Sequence, residues 1–297
     1  MISKRKYVRN AHTNRVLVFF MLVFSFCCVY PFYYVMVLSF NDATDAFKGG
    51  IYFWPRVWSL ANYEAVFRNQ YLINAFFITV ARVAIMTVLV PLVCSLYGYS
   101  IAYRELLGRK FFSSILIVPM YIGGGIIPFF FVLRALHLYN TFFVYIIPYT
   151  FSSFNVLLFR SYFQEISPSL RESAIIDGAH EGRVFFEIVF PIAIPVFAAV
   201  ALFAAVGNWN EWMVGQIFVT DNQLVPLPTI LLQIIRSQDS SMTGMSIQQI
   251  VESTTKRTTP EAIRYAMIVV VTLPILVVYP FLQKYFIHGI MIGAVKE

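Results

Sequence analysis

Ile188-Val-Phe-Pro-Ile-Ala-Ile-Pro-Val-Phe-Ala-Ala-Val-Ala-Leu-Phe-Ala-Ala-Val-Gly-Asn-Trp-Asn210 is 23 residues long and carries no charged side chain. A helix crossing a hydrocarbon core needs about 20 residues. Five more uncharged runs occur, at 16–41, 83–103, 111–133, 135–159 and 265–283, and the six lengths fall between 19 and 26 residues. Of the 297 residues, 59% are hydrophobic and only 12% charged. A soluble domain carries roughly 25% charged residues. So few charges cannot cover a globular surface, which excludes a soluble fold. The pattern predicts an all-α integral membrane protein with six transmembrane helices.

Lys4, Arg5, Lys6, Arg9 and Arg15 precede the first run, as in a secretory signal. The run itself, at 26 residues, exceeds the usual apolar region of about 7–15, and no Ala-x-Ala site closes it. It reads as a retained first helix. Cys27, Cys28 and Cys94 all lie within apolar runs, so redox or Cys-based metal chemistry is not expected.

Basic residues set the orientation. The N-tail, 103–110, 160–187 and the C-terminal stretch hold thirteen Lys/Arg; the opposite side holds eight, over more residues. The positive-inside rule then places both termini in the cytoplasm. The net charge of +7 needs no nucleic acid to explain it. The expected layout is a cytoplasmic N-tail at 1–15 and a single six-helix domain at 16–297. Its helices fall near 16–40, 73–103, 111–134, 140–160, 188–213 and 262–286, with a cytoplasmic loop at 161–187 and an outside loop at 214–261. Arg82 lies near the outer end of the second helix, where it either snorkels to water or lines a pathway. Gly123, Gly124 and Gly125, followed by Pro128, make the third helix the one expected to break.

The 161–187 loop is the distinctive segment. Ser167 can cap a helix and Pro168 suits its first position. Ser169 and Glu172 have capping-box spacing, which gives Glu172 a purely local role as one alternative. Gly178 suits a left-handed turn. A second short helix follows and leads to Pro191. The product is a small knob, with Ser173, Ala174 and Ala179 around its bend, able to enter a partner's groove.

Glu172-Ser173-Ala174, three residues, Gly178, nine residues, then Ile188-x-Phe190-Pro191 resembles the EAA loop of ABC-importer permeases. Spacing is intact, with Ser173 standing for Ala and Phe190 for Leu. Asp177-Gly178-Ala179, Pro195, Leu60-Ala-Asn62-Tyr63 and Asn208-Trp209-Asn210-Glu211-Trp212 resemble the carbohydrate-uptake branch. Gly123-Gly-Gly-Ile-Ile-Pro128 and Pro226-Leu-Pro228 look like its subgroup for oligosaccharides and complex polysaccharides. The resemblance implies a type I importer permease fold in a bacterial plasma membrane. It implies ATPase coupling through Glu172, Ser173, Ala174, Asp177, Gly178, Ala179, Phe185 and Pro191. The implied partners are a second permease, two ATP-binding cassette subunits holding ATP and Mg, and an extracellular solute-binding lipoprotein.

No P-loop, Gly-x-Ser-x-Gly or His-Glu-x-x-His pattern occurs, so this chain is expected to be a transport subunit without cofactor or catalytic site. Amides and indoles beside an apolar span suit sugar hydroxyls and rings, making Asn208, Trp209, Asn210, Glu211 and Trp212 pathway candidates. A Trp at a span end can equally be an interfacial anchor. Asn155, with Ser152 and Ser153, either lines the same route or bonds across helices. The alternative function is a secondary transporter or channel for a small polar solute, using Arg82 or Glu211 as a coupling charge. That reading wants acidic residues inside the spans, and the six runs contain none.

Overall fold

The computed structural model describes residues 11–103, 105–236, 259 and 261–277. The chain divides into two units, 1–69 with 248–270 and 70–247 with 271–297. Among the described residues the structure is helical, without strands.

The first unit starts with α1 (Ala11–Ser39), whose residues 15–29 are all exposed. Its last turn is buried and leads into a polar knot. Asn41 Oδ1 accepts the backbone N–H groups of Arg56 and Val57, at 2.8 and 3.0 Å. Asp42 caps α2 (Ala43–Ala46) by accepting from the N–H groups of Thr44 and Asp45. The Thr44 hydroxyl, first among several donors, holds the Asp42 carboxyl below the ordinary carboxylate range. In α3 (Ala61–Arg68), Asn62 is fully buried and donates to the carbonyls of Ser39 and Asn41, each at 3.0 Å. Tyr63 meets the Ser39 hydroxyl at 2.6 Å. Asn62 of the Leu60–Tyr63 stretch therefore closes backbone left open where α1 ends, and Tyr63 braces it through the Ser39 side chain.

The second unit is organised on α4 (Gln70–Ala102), 33 residues and thus about 50 Å long. The chain continues as α5 (Arg109–Tyr121) and α6 (Ile126–Ala135), two short 3-10 turns at Phe142–Tyr145 and Ile147–Tyr149, then α7 (Ser153–Glu165). Next come α8 (Pro168–Ile176), α9 (Glu181–Arg183), a π-helical stretch Val184–Val189, α10 (Phe190–Ile192) and α11 (Ile194–Asn210). After these, α12 (Met213–Phe218) and α13 (Leu227–Arg236) complete the unit's named helices. Residues 261–277 are also helical. Both α11 and α7 pack on α4. Gly98 makes the α7 contact possible: a Cβ there would lie 2.9 Å from Cβ of Phe159 and 3.0 Å from the Val156 carbonyl oxygen.

Several expected helix bounds are corrected. Among the described residues two helices, Arg15–Ser39 and Gln70–Ala102, are long and apolar enough to span, or four if each of two bent pairs is one span. The third expected helix is split into α5 and α6 at 122–125, with Gly125 at φ +77°, as its glycines foretold. The fourth expected helix starts as 3-10 turns, bends by 42°, and runs on to Glu165. The fifth is not one rod from 188 to 213. Glu181–Ile192 and Ile194–Asn210 meet at 82°. Pro191 and Pro195 each lack a backbone donor, which weakens the ladder around Ala193. At the break the Ile192 carbonyl accepts the Tyr162 hydroxyl at 2.9 Å. The expected 214–261 loop contains most of α12 and all of α13, whose Leu227, Thr229, Ile230 and Ile234 are buried; its 237–258 portion lies outside the described residues, as does 278–286 of the sixth helix.

Candidate functional site

Helix α8 starts at Pro168 after Ser167, whose hydroxyl pairs with that of Ser169 at 2.8 Å and not with the backbone. With the cap at Ser167, a capping box would need its carboxylate at position 170. Glu172 lies too late for that role, in mid-helix and exposed. The C-terminus closes by paired bonds: Gly178 N–H to the Ile175 carbonyl at 3.0 Å and Ala179 N–H to the Ala174 carbonyl at 2.9 Å. That is a Schellman motif, with Gly178 at φ +85°. His180 Nδ1 then accepts the Arg183 N–H, capping the next turn.

The knob is divided by burial. Glu172, Ser173, Asp177 and Gly178 are exposed, and Ile176 beside them is 84% exposed. Ala174 and Phe185 face inward. Phe185 packs edge-on against Tyr99 of α4 and Phe163 of α7, with ring centroids 5.1 and 6.4 Å apart. The exposed bend is therefore mounted on an aromatic platform that belongs to two long helices. Pro191 is exposed at the far side of the π stretch.

At the other end of α11 lies a second polar cluster. Arg82, only 1% exposed, donates to the Glu211 carboxylate at 3.2 Å, to the Glu211 carbonyl at 2.9 Å and to the Asn208 carbonyl. Its guanidinium also sits 5.1 Å from the Tyr145 ring centroid. Glu211 uses its other oxygen to accept the Val214 N–H at 2.9 Å, capping α12. One ion pair thus satisfies backbone groups on both sides of the α11–α12 break. Arg82 is not snorkelling, because these acceptors replace water. A cleft of ≈ 180 Å³ adjoins the pair, lined by Arg82, Tyr145, Tyr149, Gly207, Asn208, Glu211 and Val214.

Residues 95–292 match the family described as binding-protein-dependent transport system inner membrane component. The chain belongs to this family. It is 32% identical over 290 residues to the polygalacturonan/rhamnogalacturonan transport system permease protein YtcP of Bacillus subtilis (strain 168), covering 97% of this chain and 100% of that one. It is 27% identical to the arabinooligosaccharides transport system permease protein AraQ of Halalkalibacterium halodurans, covering 92% of each chain. In fold it is similar to a solved bacterial ABC transporter involved in the import of the acidic polysaccharide alginate. There the TM-score is 0.85 and the identity 25%, with 95% of this chain and 99% of that chain covered. The permease is a transport component and not an enzyme.

The permease does not gather all the pathway candidates. Asn208 and Glu211 line the cleft. Trp209 is buried, donates Nε1–H to the Val271 carbonyl at 2.9 Å, and meets the Phe76 ring edge-on. Asn210 folds its amide back to the Val206 carbonyl on an exposed face. Trp212 is 37% exposed beneath the Arg236 guanidinium. Asn155 is buried on α7 and does not line the cleft. Reading the sequence missed Tyr145 and Tyr149 of the cleft, and Tyr99 under the knob. Their signal was faint, since Tyr within apolar runs is common in this chain.

Proposed function

We propose that the chain is one of two related permease subunits of an ATP-driven importer for oligosaccharides or polysaccharide fragments. In this reading it has six spans and both termini in the cytoplasm of a bacterial cell. Two ATPase subunits bind ATP and Mg, and an extracellular solute-binding lipoprotein delivers the sugar. The observation that carries the reading is the knob at 172–179, exposed at its bend and seated on Tyr99, Phe163 and Phe185. A groove in an ATPase can grip such a bend, and a rigid seat passes its displacement to α4 and α7. Relatives named for polygalacturonan/rhamnogalacturonan and arabinooligosaccharides transport, and a fold neighbour involved in alginate import, support a carbohydrate cargo. The cleft beside Asn208 and Glu211 offers hydrogen-bonding groups of the kind sugar hydroxyls use. Its pairing of one cation with one anion gives no net charge to drive an ion, which disfavours the secondary-transporter reading.

The test is purification of the tagged permease from its host, followed by mass spectrometry of copurifying subunits and bound glycan. In parallel, cysteines replacing Thr220 and Ser169, both exposed, report orientation. An impermeant thiol reagent added to intact cells should label position 220 and spare 169. The reverse pattern would put the knob outside, away from any ATPase, and end the reading.

A further inference from the structure

Glu181 joins three elements next to the knob. One carboxylate oxygen accepts the Tyr99 hydroxyl at 2.9 Å and Arg171 Nε at 3.3 Å; the other accepts Arg171 Nη2. The Arg171 guanidinium also lies 4.7 Å from the Tyr103 ring centroid, and Tyr103 stacks edge-on with Tyr99 at 5.0 Å. Arg171 belongs to α8, Glu181 to α9, and Tyr99 to the last turn of α4. The neighbouring charges do not compete, because Arg183 and Glu187 pair with one another at 2.8 Å.

We propose that Glu181 is a positioning residue for coupling: it ties α8 to the end of α4, so that a push on the knob is carried into the longest helix. The proposal rests on the reading that the knob takes its motion from an ATPase. Apolar packing through Phe185 gives the knob its seat, but packing of this kind is not directional. A forked guanidinium on a carboxylate fixes distance and angle together. The carboxylate bonds both to Arg171 of the moving helix and to the Tyr99 hydroxyl of the span. Partial exposure of the pair argues against a mainly stabilising role, since exposed ion pairs add little to stability.

The experiment uses the whole transporter in proteoliposomes, with size-fractionated oligogalacturonides and arabino-oligosaccharides as the two cargo probes. Sugar moved per ATP hydrolysed is measured for wild type, Glu181→Ala, Glu181→Gln and Tyr99→Phe. The expected result is normal ATPase copurification and hydrolysis within twofold of wild type in all three variants. The sugar-to-ATP ratio should fall at least fivefold in Glu181→Ala and less in Glu181→Gln, which keeps an acceptor for the Tyr99 hydroxyl. A merely structural role would lower transport and hydrolysis together at constant ratio, and that result overturns the proposal. If Glu181→Ala fails to assemble, Tyr99→Phe decides, because it removes one hydroxyl and leaves the ring packing. An unchanged ratio with normal docking defeats this proposal alone. A wild-type complex that binds no ATPase, or moves neither probe, defeats the underlying reading as well.

Discussion

Two Arg–Glu pairs, Arg82–Glu211 and Arg171–Glu181, use the same chemistry in opposite surroundings. In the first, the side chains are 1% and 28% exposed; in the second, 23% and 51%. Arg82 spends two of its contacts on backbone carbonyls and its partner caps a helix, so the pair stands in for missing secondary structure. Arg171 spends its contacts on side chains of separate elements. Burial makes the first pair a matter of whether the chain folds. Exposure leaves the second with little weight in stability, so its value lies in where it holds the knob.

The contrast breaks most readily at Arg82. Arg82→Met leaves the Glu211 carboxylate unpaired and should cost about 3–5 kcal/mol, read as a lower midpoint of thermal unfolding in detergent. Adding Glu211→Gln removes the stranded charge and should recover much of that loss. A single variant as stable as wild type would show that water already reaches the pair.

Next in size is Gly178, on the knob held by the second pair. Gly178→Ala should cost about 1–2 kcal/mol from its left-handed backbone, with no clash, since nothing lies within 4 Å of a Cβ there. Gly178→Leu meets equally open space within this chain. Any further loss of ATPase copurification in the Leu variant over the Ala variant therefore reports a partner's wall. Equal assembly of the two would leave the bend outside the interface.

The smallest effect belongs to Arg171→Met. It should change the unfolding midpoint by no more than about 1 kcal/mol allows. Salt sharpens the contrast: screening reaches exposed charges with a Debye length of about 3 Å at 1 M, and buried pairs far less. High salt should erase the stability difference between Arg171→Met and wild type while leaving that of Arg82→Met nearly intact. A salt-resistant Arg171 effect would mean the two pairs are alike.

Local features were legible in the order of amino acids alone. Three consecutive glycines marked the break between α5 and α6, and Gly178 marked the turn of the knob, because a missing Cβ leaves a local signature. The pairing of Arg82 with Glu211 was not legible, since 129 residues separate them and each merely bounds an uncharged run. Trp209 and Trp212 looked equivalent, yet one is buried on Val271 and the other lies beneath Arg236. Helix α13 had a readable signal: Leu227, Ile230 and Ile234 recur at helical spacing. Counting charges alone hid it inside a long loop. The 82° bend at Ala193 needed more than its prolines, since Pro31 and Pro91 sit inside helices that continue through them.

The π stretch Val184–Val189 bears on how this loop can change over time. Its widened turn runs from the Phe185 carbonyl to the Phe190 N–H and holds one residue more than an α-turn needs. Deleting a single residue there would let the turn close as an ordinary α-turn and leave everything downstream near its present phase, whereas a further insertion would rotate it by about 100° about the axis. Pro191 and the bend at Ala193 would then point elsewhere, and α11 with them. The π stretch is thus a phase buffer: it can exchange apolar residues or give up one, but it cannot take in another. A library of one-residue insertions across 184–189, screened for uptake, should return almost nothing, while single deletions there and conservative apolar exchanges at the exposed Phe186 should return many.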